Sequence, residues 1–261
     1  MILRFADVWP PKTNRFTQIP EHRKQSKIIH EMTTPMTRGL FIVIEGLDRS
    51  GKSTQIQKTV QHLQQQRYKS VFSSVQEWSF PDRTTTIGHT CDLYLRNKQN
   101  MNDRAIHLMF SANRWEKEHE IRSLVQEQGA AIVCSRYAYS GVVYSSFKGT
   151  IDMDWCRNCD VGLPEPDIVF FLDIEPEMAS GRSAYGEERY EQVSVQHRVR
   201  AQFQQLFEWE KQTFRRSSNE NKICVIDASQ SIEEVQLTIQ REIEQRWSTI
   251  AQKPELDLLW K

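Results

Sequence analysis

A glycine-rich segment near residue 50 combines the residue types and the spacing of a loop that binds phosphate. Residues 46–53 read GLDRSGKS, in which glycine, four residues, glycine, lysine and serine follow in order. The glycines let backbone N–H groups approach phosphate oxygens, and a helix that begins near Lys52 adds its partial positive charge. Lys52 would then contact the β- and γ-phosphates of a nucleotide, and Ser53 would bind Mg²⁺. The alternative is a glycine-rich turn without a ligand.

Two charged side chains inside this loop say more about the chemistry. Asp48 and Arg49 place opposite charges among the amide groups that would bind phosphate. A carboxylate there repels phosphates unless it faces a hydroxyl donor, so Asp48 indicates a second substrate that carries a sugar. Arg49 would neutralise charge that develops on a transferred phosphoryl group.

Candidate residues for the second substrate come after the loop. Residues 80–83, FPDR, follow the second predicted strand, and Phe110 and Arg114 are four residues apart on a predicted helix. Side chains at that spacing share one helix face, where a ring and a guanidinium can stack on a base and hydrogen-bond its edge. A core phenylalanine beside a solvated arginine is the alternative, and spacing alone favours it.

Two further segments add candidates near the phosphates. Arg136 lies in the stretch SRY that follows the third predicted strand, beside the loop, which makes it a candidate phosphate ligand. Residues 186–191, GEERYE, precede a long predicted helix. Their charge and glycine are typical of a mobile lid, and a plain solvated loop is the alternative.

Short apolar runs alternate with segments of helical period, and these elements must position the candidates. We predict strands at Leu40–Glu45, Val71–Val75, Ala130–Cys134, Ile168–Asp173 and Ile223–Ile226, and helices near 52–67, 84–97, 103–128, 191–215 and 231–249. The strands are continuous apolar runs, as expected when both faces of a sheet are covered. The pattern predicts an α/β fold of the P-loop NTPase type. Its open five-stranded parallel sheet would carry helices on both faces, plus a lid segment.

The charge balance divides the chain in two. The 261 residues carry 34 basic and 34 acidic side chains, which argues against a protein that coats nucleic acid. Residues 1–38 have seven basic and three acidic side chains, a charge of +4, which leaves −4 for residues 39–261. Four prolines and little apolar periodicity predict a flexible N-terminal extension over 1–38. A targeting presequence and a shorter product that begins at Met32 or Met36 are alternatives.

The cysteines and the hydropathy indicate the compartment. Five scattered cysteines do not form a disulfide framework, which favours a reducing interior, so we expect a cytoplasmic protein. An additional nuclear location and mitochondrial targeting by residues 1–38 are the alternatives. Cys156 and Cys159 have the spacing of half a zinc site, without a second pair nearby. No apolar run approaches the roughly 18 residues that cross a bilayer, so we expect no membrane partner.

Several motifs together resemble the thymidylate kinases of the eukaryotic and poxviral type. In chain order they are FIVIEGLDRSGKSTQ, FPDRTTTIG, LMFSANRWE, SRYAYSGV, DVGLPEPD, GEERYE, DASQSIEEV and the terminal LWK. The resemblance covers residues 39–261 and implies one kinase domain. It implies transfer of the ATP γ-phosphoryl group to dTMP, giving dTDP, with Mg²⁺ as cofactor. It also implies a homodimer formed through long helices, with the helix that carries Trp115 as the candidate interface.

The resemblance assigns roles to individual residues. The implied catalytic residues are Asp48, Arg49, Lys52 and Arg136. The implied ATP-binding residues are Gly46, Ser50, Gly51, Lys52, Ser53, Thr54, Arg182, Ala228, Ser229 and Gln230, of which Ser53 binds the metal. The implied dTMP-binding residues are Asp48, Phe80, Arg83, Phe110, Arg114, Arg136, Tyr137, Gly141, Tyr190 and Gln196.

These roles differ in kind. Asp48 would accept the 3′-hydroxyl of the sugar, Arg83 would hold the dTMP phosphate, and Arg49 and Arg136 would bracket the phosphoryl groups. Phe110 would stack on thymine beside Arg114, which reverses the preference from spacing alone. Tyr137 and Tyr190 would close around the sugar, Gln196 would lie near the acceptor, and residues 228–230 would lie near adenine.

One position departs from the family pattern. The family has Asp-Arg-Tyr after the third strand, whereas this chain has serine at position 135. The aspartate carries negative charge toward the hydration shell of the metal, and loss of such a partner typically costs about 10–100-fold in metal affinity or activity. We therefore expect a weakened kinase. Asp82, where the family usually has glutamate, keeps its charge. A kinase for another nucleoside monophosphate, or a weakly catalytic nucleotide-binding protein, is the alternative.

Overall fold

Five parallel strands form the sheet that the sequence predicts. The computed structural model describes residues 38–182, 188–214 and 221–261. The strands are β1 (Leu40–Gly46), β2 (Val75–Ser79), β3 (Ala131–Ser135), β4 (Ile168–Asp173) and β5 (Ile223–Asp227). They lie in the order β2-β3-β1-β4-β5, and every neighbouring pair is parallel. The α/β class and the open five-stranded sheet are therefore confirmed.

The burial of each strand follows from its place in the sheet. All seven residues of the central strand β1 are buried, as are the first five of β4. The edge strand β2 is only partly covered, and its sequence VQEWS is polar. The predicted strand at Val71–Val75 is therefore wrong by about four residues. The apolar run there ends in a turn whose Phe72 packs on Trp247, at 4.8 Å between ring centroids.

Helices connect the strands, and some of them differ from the prediction. They are α1 (Lys52–Leu63), α2 (Thr86–Leu95), α3 (Asp103–Trp115), α4 (Glu118–Arg122), α5 (Ala138–Ser146), α6 (Met153–Asn158), α7 (Pro176–Ser180), α8 (Val193–Phe214) and α9 (Ile232–Ile250). The single helix predicted over 103–128 is two helices and a π-helical turn at Ser123–Glu127. No described helix is both long and apolar enough to span a membrane.

The helix α5 was missed because it has no polar face. Eight of its nine residues are buried, since it packs between α3, α6, α8 and β1. A helix that is covered all round shows no apolar stripe at helical spacing. The short helices α6 and α7 were missed as well, because five or six residues are too few to show a period.

A buried ion pair fixes the start of the described chain. Arg38 is 3% exposed, and its guanidinium donates to Asp167 at 2.5 Å and 3.0 Å. Asp167 also accepts from the Phe41 N–H at 2.9 Å, so the pair holds the beginning of β1. Arg38, which we had assigned to the flexible extension, is thus part of the fold. Residues 1–37 lie outside the described residues.

We predict that Arg38→Ala lowers the free energy of unfolding by about 3–5 kcal/mol, because it leaves the Asp167 carboxylate buried without its partner. Urea denaturation measures the change. The control is Glu233→Ala, which removes an exposed pair with Lys58 at 3.6 Å and should cost at most about 1 kcal/mol. Equal losses in the two variants would contradict a structural role for Arg38.

Candidate active site

The predicted phosphate loop lies between β1 and α1, at the carboxyl edge of the sheet. Gly46 and Gly51 have φ angles of +150° and +101°, which side chains rarely adopt. A Cβ atom at Gly46 would also lie 2.6 Å from the Ser50 hydroxyl oxygen. That hydroxyl is buried and has no hydrogen-bond partner among the described residues. The loop therefore has the backbone that the glycine spacing predicts, and it holds a polar group to which a ligand could bind.

Lys52 is folded back onto the loop. Its side chain is buried, and Nζ donates to the carbonyl oxygens of Gly46 at 3.2 Å and Leu47 at 2.5 Å. Burial disfavours the charged ammonium and, with repulsion from Arg136, lowers the pKa of Lys52 to about 7. Phosphate oxygens at this point would favour the charged form again.

Three side chains hold the carboxylate of Asp48. Arg136 donates to Oδ1, while Gln196 and Tyr144 donate to Oδ2 at 2.8 Å and 3.2 Å. The Gln196 side-chain oxygen also accepts from the Asp48 N–H at 3.0 Å. Tyr144 was not among the predicted site residues, because it lies on α5, which the sequence pattern does not reveal. Burial raises the pKa of its phenol, which keeps the hydroxyl a donor.

Arg136 connects this carboxylate to the loop backbone. Its Nη1 atom donates to the Gly46 carbonyl at 3.2 Å and to the Ser140 hydroxyl at 3.1 Å. The residue has a φ of +61°, a left-handed conformation that is uncommon outside glycine. The guanidinium therefore lies between the phosphate loop and α5.

A cavity of about 970 Å³, counting its open mouth, begins at Asp48 and extends away from the loop. Nine of the ten predicted dTMP-binding residues line it, and the tenth, Gln196, bonds to Asp48. The nine are Asp48, Phe80, Arg83, Phe110, Arg114, Arg136, Tyr137, Gly141 and Tyr190. Ser135 and Tyr144 also line the cavity.

Arg114 is buried at this cavity, so the solvated-arginine interpretation is wrong. Its guanidinium pairs with the buried Asp160 at 2.6 Å, and its side chain is 3% exposed. A Cβ atom at Gly141 would lie 2.5 Å from Arg114 Nη2, so only glycine leaves room for the guanidinium. The half-buried Phe110 lies one helical turn before Arg114, as their spacing predicts.

Two tyrosines of the cavity wall are nearly closed to solvent. Tyr137 packs edge-on against Phe41, and its buried hydroxyl has no hydrogen-bond partner among the described residues. Tyr190 packs on Tyr144 at 5.5 Å between centroids, and its hydroxyl lies 3.1 Å from that of Tyr94. Both rings shape the wall of the cavity.

The turn that carries Arg83 is anchored by α3. The Asn113 side chain accepts from the Asp82 N–H at 2.7 Å and donates to the Asp82 carbonyl at 3.3 Å. The peptide bond before Pro81 is cis. Asn113 was not among the predicted site residues, and its polar side chain on a buried helix face was the available signal.

Two of the three arginines expected to bind phosphate, Arg83 and Arg49, pair with one segment, residues 188–191. Arg83 Nη2 donates to Glu188 at 2.7 Å and its Nη1 to Asp92 at 2.5 Å, while Arg49 donates to Glu191 at 3.2 Å. Residues 188–191 are the second part of the predicted lid, and their contacts with Arg83 and Arg49 hold them against the site. Its first two residues, 186 and 187, lie outside the described residues.

Arg182 connects the loop to the predicted adenine side. Its guanidinium donates to the Arg49 carbonyl at 2.9 Å and to the Ala228 carbonyl at 3.2 Å. The Ala228 N–H in turn donates to the end of β4, at the Asp173 carbonyl. Residues 228–230 therefore lie beside the loop, where an ATP base would follow its phosphates.

Near the phosphate loop, few side chains among the described residues could bind a metal ion. Ser53 is exposed in the first turn of α1, next to Thr54, so its hydroxyl can provide one ligand. Asp173, at the end of the strand beside β1, is already paired with Arg200 at 2.7 Å and 2.9 Å. Mg²⁺ commonly binds through few protein groups together with substrate phosphates and water, and Ser53 fits that pattern.

Comparison with known proteins decides between the classes of nucleotide-binding protein that this geometry allows. The sequence profile named Thymidylate kinase matches residues 44–239. The chain belongs to the thymidylate kinase family. The thymidylate kinase of Schizosaccharomyces pombe is 46% identical over 198 residues, covering 76% of this chain and 88% of the relative. The Homo sapiens thymidylate kinase is 39% identical over 224 residues, covering 86% of this chain and 98% of the relative.

A solved structure supports the same assignment. The thymidylate kinase of Candida albicans matches with a TM-score of 0.71 and 32% identity, covering 85% of this chain and 98% of that one. Family membership makes the protein a nucleoside monophosphate kinase, and in its structure the phosphate loop and the cavity meet at the Asp48 carboxylate.

We predict that ATP binding takes up close to one proton at pH 8 and almost none at pH 6. Lys52 is mainly neutral above pH 7 in the free protein, and bound phosphates raise its pKa, so the proton is taken up only above that value. Calorimetry in two buffers with different ionisation enthalpies measures the uptake. Lys52→Arg, which stays protonated, should remove it. The same uptake in both proteins would contradict the assignment to Lys52.

Proposed function

We propose that this protein transfers the γ-phosphoryl group of ATP to the phosphate of dTMP, with the acceptor bound in the cavity beside Asp48. The observation that carries the proposal is the position of the Asp48 carboxylate, which lies in the phosphate loop and also lines the cavity. A kinase must bring two phosphate groups together while orienting the rest of the acceptor, and this arrangement supports both tasks.

On the acceptor side, each group of dTMP has a partner of matching chemistry. The phosphate would bind Arg83 and displace Glu188 from it. Thymine would stack on Phe110, while Arg114, already oriented by Asp160, would hydrogen-bond the base edge. The 3′-hydroxyl would donate to Asp48, whose three donors leave acceptor capacity on its two oxygens.

On the donor side, the reaction needs charge stabilisation rather than a general base, because the attacking phosphate oxygen of dTMP is already ionised at neutral pH. Lys52 would move from the loop carbonyls to the ATP phosphates, and Arg49 and Arg136 would bracket the group in transfer. Ser53 would hold Mg²⁺ together with the phosphates, and the ion would supply further charge neutralisation. The Arg182 contact with Ala228 supports a place for adenine near residues 228–230.

A kinase for a wider set of nucleoside monophosphates is the second candidate. The thymidylate kinase of Candida albicans has a broad substrate specificity. The structural likeness to that enzyme motivates tests with other acceptors as well.

An ADP-release assay with dTMP, dUMP, dCMP, dGMP and AMP tests the proposal. We expect the highest kcat/KM with dTMP, and a loss of about 10²-fold or more in Arg83→Ala, which removes the charge that binds the acceptor phosphate. Glu188→Ala, which removes only the competing carboxylate, is the matched control and should not lower kcat/KM. Turnover confined to AMP or dGMP would contradict the thymidylate assignment. No turnover with any acceptor would favour the nucleotide-binding alternative.

We further propose that Ser135 weakens the enzyme. Ser135 lines the cavity at the end of β3, beside β1, and its neutral side chain replaces the family's aspartate there. Ser135→Asp should raise kcat and lower the Mg²⁺ concentration needed for half-maximal rate, by about 10-fold or more. A magnesium titration of dTMP turnover measures both. Equal rates and equal magnesium dependence in the two proteins would contradict this role.

We also propose a homodimer formed through α3. Leu108 and Trp115 are seven residues apart on this helix, and they are 49% and 39% exposed. Residues at that spacing lie on one helix face, and an exposed apolar face is typical of an interface between subunits. Light scattering of the purified protein measures its mass. The mass of two chains is expected, and the mass of one chain would contradict the dimer.

A further inference from the structure

Glu45 is a buried carboxylate to which the reaction described above assigns no task. It follows the apolar run of β1 directly, it is wholly buried, and it precedes the phosphate loop. Burying a carboxylate is costly unless its oxygens receive hydrogen bonds. The partners of Glu45 therefore indicate what its burial achieves.

All three hydrogen bonds that the structure gives Glu45 come from one short segment. Its Oε1 atom accepts from the N–H groups of Tyr137 at 2.8 Å and Ser140 at 3.1 Å. Its Oε2 atom accepts from the Ser140 hydroxyl at 2.5 Å. This segment, residues 136–140, runs from the end of β3 into the first turn of α5, so a single carboxylate fixes both its backbone and one of its side chains.

That segment begins with Arg136, whose geometry depends on it. The Ser140 hydroxyl that donates to Glu45 also accepts from Arg136 Nη1 at 3.1 Å. Arg136 holds a left-handed φ of +61°, which costs a non-glycine residue energy unless its surroundings fix it. The contacts run from Glu45 through Ser140 to the Arg136 guanidinium, and from there to Asp48 and the Gly46 carbonyl.

We propose that Glu45 is the positioning residue for Arg136: by fixing residues 137–140 and the Ser140 hydroxyl, it aims the guanidinium at the point where the two substrate phosphates meet. The inference rests on the proposed function, because it gives Arg136 the phosphoryl group as its target. A displacement of about 1 Å at such a group can cost about 10²-fold in rate.

Two conservative variants interrupt the contacts from Glu45 through Ser140 to Arg136 at different places. Ser140→Ala removes the hydroxyl that links Glu45 to Arg136 and leaves the two amide contacts in place. Glu45→Gln keeps an oxygen for the two amides but replaces the Oε2 acceptor with a donor. We expect each variant to lower kcat by about 10- to 100-fold, with KM for ATP changed less than about threefold. The double variant should be no worse than the more severe single variant, because both act through one path.

The control is Glu165→Gln. Glu165 is also buried, and it pairs with Lys222 near the amino ends of β4 and β5, whereas the phosphate loop lies at the carboxyl ends of the strands. It should lose thermal stability without a comparable loss of kcat. If the loss of kcat in Glu45→Gln and Ser140→Ala is no larger than their loss of melting temperature explains, as in the control, the positioning role is overturned.

A spectroscopic measurement tests the position of Arg136 without relying on turnover. The guanidinium ¹⁵N resonances of Arg136, identified by their loss in Arg136→Lys, should show a single ordered side chain in the wild type. They should show averaged motion in Glu45→Gln and Ser140→Ala, and no change in Glu165→Gln. An unchanged Arg136 spectrum in both variants would overturn the proposal. A wild type without dTMP turnover would overturn the proposed function alone, since the spectrum still decides the role of Glu45.

Discussion

The carboxylate of Asp48 lies among the amide groups of the phosphate loop, where an unbalanced negative charge would repel a nucleotide. Arg136 balances that charge, and Gln196 and Tyr144 donate hydrogen bonds to the carboxylate. The three side chains come from the end of β3, from α8 and from α5. These three elements converge on the side chain of Asp48. That one residue therefore holds together the phosphate loop, the wall of the cavity and the start of α8, which follows residues 188–191. The remaining geometry of the site follows from that convergence.

The arginines of the free protein follow one electrostatic rule. Four of the five that are expected to contact substrate are paired with carboxylates: Arg49 with Glu191, Arg83 with Glu188 and Asp92, Arg114 with Asp160, and Arg136 with Asp48. The fifth, Arg182, donates to two backbone carbonyl oxygens. The Arg114 pair is buried and the Arg136 pair partly buried, and both orient the guanidinium. The pairs made by residues 188–191 have more exposed arginines and can exchange for phosphate. Residues 39–261, with a net charge of −4, can in this way hold two polyanions without leaving these four guanidinium groups unpaired.

The sequence predicts the parts of this site that depend on local patterns. The continuous apolar runs of β1 and β4 and the glycine spacing of the loop are such patterns, and the structure has them where they were expected. The edge strand β2 was misplaced because its polar residues carry no apolar run, and α5 was missed because it is buried on every side. Tyr144, Asn113 and the role of Glu45 depend on contacts between residues far apart in the chain, which spacing cannot reveal.

If Asp48 accepts a hydrogen bond from the 3′-hydroxyl of the acceptor sugar, a substrate without that hydroxyl should lose its contact with Asp48 and nothing else. The kcat/KM values of dTMP and 3′-deoxy-dTMP are measured in the wild type and in Asp48→Ala. Any disturbance of Arg136 in the variant affects both substrates alike, so the ratio isolates the hydroxyl. We expect removal of the hydroxyl to lower kcat/KM of the wild type by about 10-fold or more and that of the variant almost not at all. An equal penalty in both proteins would contradict it.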